Sequence, residues 1–142
     1  MAEALFNTLG RGRFKAFSAG SNPTGKVNPF AIEQVADLGY PTEVLRSKSW
    51  DEFTQANAPK MDIVITVCDN AAGEVCPIWP GAPISAHWGF EDPATNEGSN
   101  EDKRAAFAQI RSQIQECVER FIRLPLESMD IPSIKRELDG IK

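Results

Sequence analysis

The segment Ile63-Val64-Ile65-Thr66-Val67-Cys68 restricts the fold of this chain more than any other. It is apolar and β-branched, with no polar residue at every second place. Alternation marks a strand with one wet face, whereas an unbroken run marks a strand covered on both faces. Such a strand, from about Met61 to Val67, belongs inside a parallel sheet with helices on either side. Pro83 to Trp88 reads as a second, shorter strand, and Phe14 to Phe17 as a further short candidate.

Helical patterns separate these strands. Residues 2–9 bring Ala2, Leu5, Phe6 and Leu9 to one side and stop at Gly10-Arg11-Gly12. Asn28-Pro29 opens another helix, because Asn caps free amides and Pro gives up a donor that has no partner in the first turn. Ala31, Val35 and Leu38 follow at helical spacing, and Gly39 with Pro41 stops the helix. Ser49 to Gln55 reads as a short helix capped by Ser49, with Glu52 three residues on. Ser99 and Asp102 open a long helix whose apolar stripe is Phe107, Ile110, Ile114, Cys117 or Val118, and Phe121. Pro125 ends it. The tail, 126–142, carries Ile131, Ile134, Leu138 and Ile141, and is expected to form one more short helix on the surface. The order is α-β-α-α-β-β-α, which predicts an α/β domain with a flavodoxin-like parallel sheet flanked by helices. It begins on a helix, whereas doubly wound domains usually begin on a strand near the sheet centre.

With 142 residues the chain suits a single domain, 1–142, in which 125–142 is expected to be a C-terminal extension. Hydrophobic residues at 42% and charged residues at 25% fit a folded chain, not a disordered one. A net charge of −5 without a Lys/Arg run argues against a nucleic-acid partner. No apolar run approaches the ~18 residues of a membrane span, and the N-terminus lacks a basic start. The expectation is a cytoplasmic protein with no membrane partner. Three cysteines, an odd number, argue against a disulfide framework and leave redox or catalytic use open.

The chemistry-bearing residues concentrate between Thr66 and Pro93. Cys68 ends the principal strand, and in open α/β sheets the carboxyl ends of strands are where ligands bind. Cys76 follows across a stretch with Ala71-Ala72-Gly73, long enough to let two sulfurs meet or part. A redox dithiol needs that freedom, and the plainer reading is a strand-end cysteine and an incidental loop cysteine. Cys68, Cys76 and His87 could also offer three zinc ligands, but the spacing matches no finger or ribbon and a fourth ligand is lacking. His87 reads as hydrogen-bonded structure and Cys117 as core. Asp92-Pro93 follows the second strand, where a carboxyl on a loop can act as a general acid or simply make a turn.

Seven stretches carry a resemblance. They are Met1-Ala2-Glu3-Ala4, Phe17-Ser18-Ala19-Gly20, Val27-Asn28-Pro29, Ser47-Lys48-Ser49-Trp50, Val67-Cys68-Asp69-Asn70-Ala71-Ala72-Gly73-Glu74, Cys76-Pro77, and His87-Trp88-Gly89 with Asp92-Pro93. In these the chain, from Met1 to about Leu126, resembles the arsenate reductases built on the low-molecular-weight protein tyrosine phosphatase fold. The resemblance implies reduction of arsenate to arsenite by a thiol/disulfide relay, with a thioredoxin-like or glutaredoxin-like reductant and with arsenate or a phosphate-like oxyanion as ligand. It implies that Cys68 attacks the arsenylated nucleophile, that Cys76 resolves the product, and that Asp92 is the general acid. No cofactor and no resident metal are expected. Some members of the family bind potassium beside the loop; Glu3 and Ser18 match two of those positions, but Ser49 stands where an Asp is found.

One departure is large. The resemblance sets a strand and a nucleophilic Cys-x5-Arg loop just before the stretch matched by Met1 to Ala4, and residues 1–142 hold neither. The single Cys-x5-Arg spacing, Cys117 to Arg123, lies inside the long helix and has no glycine. Helix interiors have no free amides to cradle an oxyanion, so this match is spurious. The first central strand is thus expected to be missing from this chain. That would leave a gap in the sheet, and the 142 residues would fold poorly alone or recruit a strand from another chain, as in a strand-exchanged dimer. Met1 coincides with an internal methionine of the family, so the expectation is a start assigned too late, with the nucleophile upstream. Residues 1–142 by themselves are expected not to catalyse the reaction. The rival readings are a phosphatase of the same scaffold and a catalytically inactive binding or redox-sensing remnant.

Overall fold

The computed structural model describes residues 1–20, 23–68 and 79–142, without the side chain of Cys68. Among these, two strands pair in parallel: β1 (Ile63–Cys68) and β2 (Ile84–Phe90). Ile63 lies opposite Ile84, Ile65 opposite Ala86 and Thr66 opposite His87; a bulge between Thr66 and Cys68 then sets Cys68 against Phe90. Four helices accompany them: α1 (Ala2–Leu9), α2 (Pro29–Val35), α3 (Asn100–Ile122) and α4 (Ile131–Ile141). The described architecture is thus α/β with a parallel sheet, as the sequence predicts.

Among the described residues the core cluster gathers on one face of β2. Alternation along β2 turns Ala86, Trp88 and Phe90 inward and leaves Ser85 and His87 outside. Leu5 of α1, Ile110, Ile114, Val118 and Phe121 of α3, and Leu138 of α4 close over that face. Phe6 stacks near Trp88 and meets Phe121 edge-on, which fixes the α1–α3 crossing over the strand. Arg13 ties the chain after α1 to the end of α3 through the carbonyls of Ile122 and Leu124.

The helix ends follow from their caps. Asn28 accepts the amide of Phe30, with Pro29 as the first helical residue. Ser99 and Asp102 form both halves of a capping box on α3. Gly39 adopts φ 76°, a left-handed conformation that a Cβ would penalise.

Four expectations are corrected. Phe14–Phe17 is not a strand: the Asn7 amide accepts from Ala16 N at 2.9 Å and donates to Ala16 O at 3.0 Å, and so takes the backbone groups that a partner strand would use. Ser49–Gln55 shortens to a 3-10 turn over Trp50–Phe53, because the Glu52 carboxylate pairs with Arg46 instead of closing a capping box. β2 runs on to Phe90. The tail helix is not superficial, since Leu138 is fully buried and its carbonyl accepts the Trp88 indole N–H at 3.0 Å.

Candidate active site at the carboxyl edge of the sheet

Parallel pairing brings the carboxyl ends of β1 and β2 to one edge. Cys68 ends β1, and Asp92 stands two residues past its register partner, Phe90. Asp92 caps a single 3-10 turn, Pro93–Thr95: its Oδ1 accepts from Ala94 N at 2.9 Å, and its carbonyl accepts from the Thr95 hydroxyl at 2.8 Å. The carboxylate is exposed and held by the turn that Pro93 begins. His87 Nδ1 meets the Thr66 hydroxyl at 2.6 Å across the two strands, the structural role that the sequence suggests. Cys76 lies in 69–78, outside the described residues, as does the Cys68 side chain; the Cys68–Cys76 relation and the zinc trio with His87 fall with them. Among the described residues no three His, Cys, Asp or Glu side chains converge as metal ligands.

Cys117 is placed elsewhere. It sits on the buried face of α3, 7% exposed, and burial pushes its thiol up from the ordinary value. A protonated thiol in a helix interior has neither the thiolate nor the amide cradle that an oxyanion nucleophile needs.

A second cluster gathers at the start of α1. The Glu3 carboxylate is buried; its Oε1 accepts from Ser18 N and Ser18 Oγ, both at 2.9 Å, and its Oε2 accepts from the Tyr40 hydroxyl at 3.3 Å. The Lys48 ammonium, equally buried, stands 3.5 Å from Oε1 and donates to Arg46 O at 3.2 Å. Asn7 Nδ2 donates to the Tyr40 oxygen and to Glu3 O. The backbone completes the cluster, with Gly20 N donating to Lys48 O and Trp50 N to Gly20 O, both at 3.0 Å. Trp50 in turn meets Trp79 edge-on, which joins this cluster to the chain entering β2. Glu3 and Ser18 were legible from the resemblance. Lys48, Tyr40 and Asn7 were not assigned roles, because no spacing rule links side chains that meet only through the tertiary fold.

The family model for low molecular weight phosphotyrosine protein phosphatases matches residues 1–137. This chain belongs to that family. Among its relatives, the arsenate reductase of Bacillus licheniformis is 37% identical over 108 residues, covering 76% of this chain and 74% of the relative. That of Halalkalibacterium halodurans is 36% identical over 105 residues, covering 74% and 72%. That of Bacillus subtilis is 33% identical over 121 residues, covering 85% and 84%. The resemblance drawn from the motifs is borne out, in the scaffold by the family model and in the arsenate reductases by these relatives.

The potassium site that the resemblance suggests does not fit the residues present. Hard cations take oxygen ligands. Here the Glu3 carboxylate is engaged by three hydroxyl or amide donors, and a lysine ammonium already stands beside it. Ser49 does not turn to the cluster as a ligand would; its hydroxyl accepts the Asp51 amide at 3.1 Å.

Among the described residues no helix is long and apolar enough to cross a membrane.

Proposed function

We propose that this protein serves the reduction of arsenate to arsenite, with Cys68 and Cys76 as its thiol relay and Asp92 as its general acid. The observation that carries the reading is the shared edge: Cys68 ends β1 and Asp92 follows β2 at the ligand-bearing end of a parallel pair. In this scheme a nucleophilic cysteine takes up arsenate, and Asp92 protonates the departing oxygen. The Cys68 thiolate then attacks the sulfur of that adduct. A disulfide forms, two electrons pass to arsenic, and arsenite leaves. Cys76 attacks Cys68, the pair closes as a disulfide, and the first cysteine is freed. A thioredoxin-like or glutaredoxin-like dithiol returns Cys68–Cys76 to thiols.

The first cysteine has no counterpart in residues 1–142, since Cys117 is buried and protonated. Intact mass of the protein from its own host tests this point; we expect it to exceed 15.6 kDa by the mass of a strand and a loop, and a mass equal to that of residues 1–142 would overturn a nucleophile upstream of Met1. The relay itself is tested by trapping thiols after arsenate is added and mapping disulfides by mass spectrometry. We expect a Cys68–Cys76 bond that requires arsenate, and Cys68→Ser to abolish turnover. Turnover that survives this change would sink the relay. Hydrolysis of aryl phosphate without disulfide formation would favour a phosphatase of the same scaffold.

The reading also includes a cytoplasmic setting, where dithiol reductants act, and a strand-exchanged dimer. Support for the dimer is that β1 pairs with β2 on one edge and, among the described residues, with no strand on the other. Sedimentation equilibrium returning a monomer at all concentrations would overturn it.

A further inference from the structure

We propose that the Lys48 ammonium is a built-in monovalent cation of this protein, holding the start of α1 to the Ser18–Gly20 loop where an alkali ion would otherwise be needed. Glu3 is 7% exposed and Lys48 is 8% exposed, so each charge is almost wholly removed from water. A buried carboxylate persists as an anion only when it is paired and hydrogen-bonded. Ser18 supplies two hydrogen bonds and Tyr40 one, all from neutral donors. Lys48 supplies a compensating charge at 3.5 Å, and the Met1 ammonium also acts on the Glu3 carboxylate.

The position of Lys48 in the chain gives that charge its purpose. Its carbonyl accepts Gly20 N, and its ammonium also holds Arg46 O. One residue therefore ties together the first turn of α1, the Ser18–Gly20 loop and the 46–50 segment. A second cation in the same cluster would meet the ammonium at close range in a low-dielectric setting, and like charges there repel strongly. The protein should accordingly be indifferent to potassium and sodium. This inference stands apart from the arsenate reading and holds or fails without it.

The test is thermal unfolding of the full chain in potassium, sodium and choline chloride at equal ionic strength. Choline is too large to enter such a cluster. We expect the same melting temperature in all three salts. A saturable rise in potassium or sodium over choline would show an alkali ion bound beside Lys48 and would overturn the proposal. A double-mutant cycle with Glu3→Gln and Lys48→Met supplies the second measurement. Lys48→Met alone strands the carboxylate and should lower the melting temperature by roughly 10 °C. Adding Glu3→Gln removes the stranded charge and should recover at least about half of that loss. Additive losses, or an unchanged melting temperature in Lys48→Met, would reject Lys48 as the compensating charge.

Discussion

Asp92 caps a turn and is proposed as the general acid, and a single substitution can separate the two roles. Its Oδ1 caps the Pro93–Thr95 turn by accepting the Ala94 amide. Asparagine caps a helical turn about as well as aspartate, because its carbonyl oxygen accepts the same bond. It cannot deliver an acidic proton. If Asp92 is the general acid, Asp92→Asn should leave the melting temperature within about a degree of the parent and slow arsenate turnover by about 10²–10⁴-fold. Equal turnover in the two proteins would reduce Asp92 to a turn residue. The cysteines show how far single residues can be read. Cys117 falls on the apolar stripe of a long helix, so its burial was legible from spacing alone. Cys68 could be set at a strand end for the same reason. The Lys48–Glu3 pair could not be foreseen, because Lys48 lies between two serines in a polar stretch that carries no periodicity.

At the scale of elements, α3 was readable in full and α4 only in part. The Ser99–Asp102 box, the stripe from Phe107 to Phe121 and the stop before Pro125 are local signals, and each appears in the fold. α4 begins at a cap of the same kind, with the Asp130 carboxylate accepting Ser133 N and Pro132 in the first turn. Its pattern marks one apolar side but not what that side meets. It meets β2: Leu138 is fully buried, its carbonyl takes the Trp88 indole N–H, and Lys142 lies over the Phe90 ring at 4.8 Å. The element is thus part of the core. Leu138→Ala should cost about 3 kcal/mol, the usual cost of a cavity in a packed interior. Chemical denaturation followed by tryptophan emission measures it; a loss under about 1 kcal/mol would mean that α4 undocks at little cost. The Phe14–Phe17 miss has the opposite cause. The β-prone residues are there, but a strand exists only with a partner, and Asn7 occupies the groups on Ala16 that pairing would use.

For the whole molecule, Tyr40 connects the α1 cluster to the end of α2 and makes global stability depend on alkaline pH. Its hydroxyl is raised from an ordinary value of 10.0, first by burial and then by the Glu3 carboxylate that it faces and bonds. The folded state therefore holds this proton more tightly than the unfolded chain. The associated stability is complete below about pH 10 and is lost as pH climbs through the higher folded value. Tyr40→Phe removes both the hydrogen bond and the titration. It should cost about 1 kcal/mol at neutral pH. Denaturant midpoints of parent and variant should then converge above pH 10. Curves that stay parallel across that range would place the Tyr40 proton outside the folding equilibrium.

The sequence by itself determined the class of fold, the main helices and their caps, the burial of the α3 stripe, and the family, because these rest on local periodicity, capping chemistry and short motifs. Tertiary structure decided the rest. It made α4 a core element, denied Phe14–Phe17 a partner strand, and brought Lys48 to Glu3. Each of these depends on which distant segments lose their water together, and burial of that kind is a property of the packed molecule that no window of the chain contains.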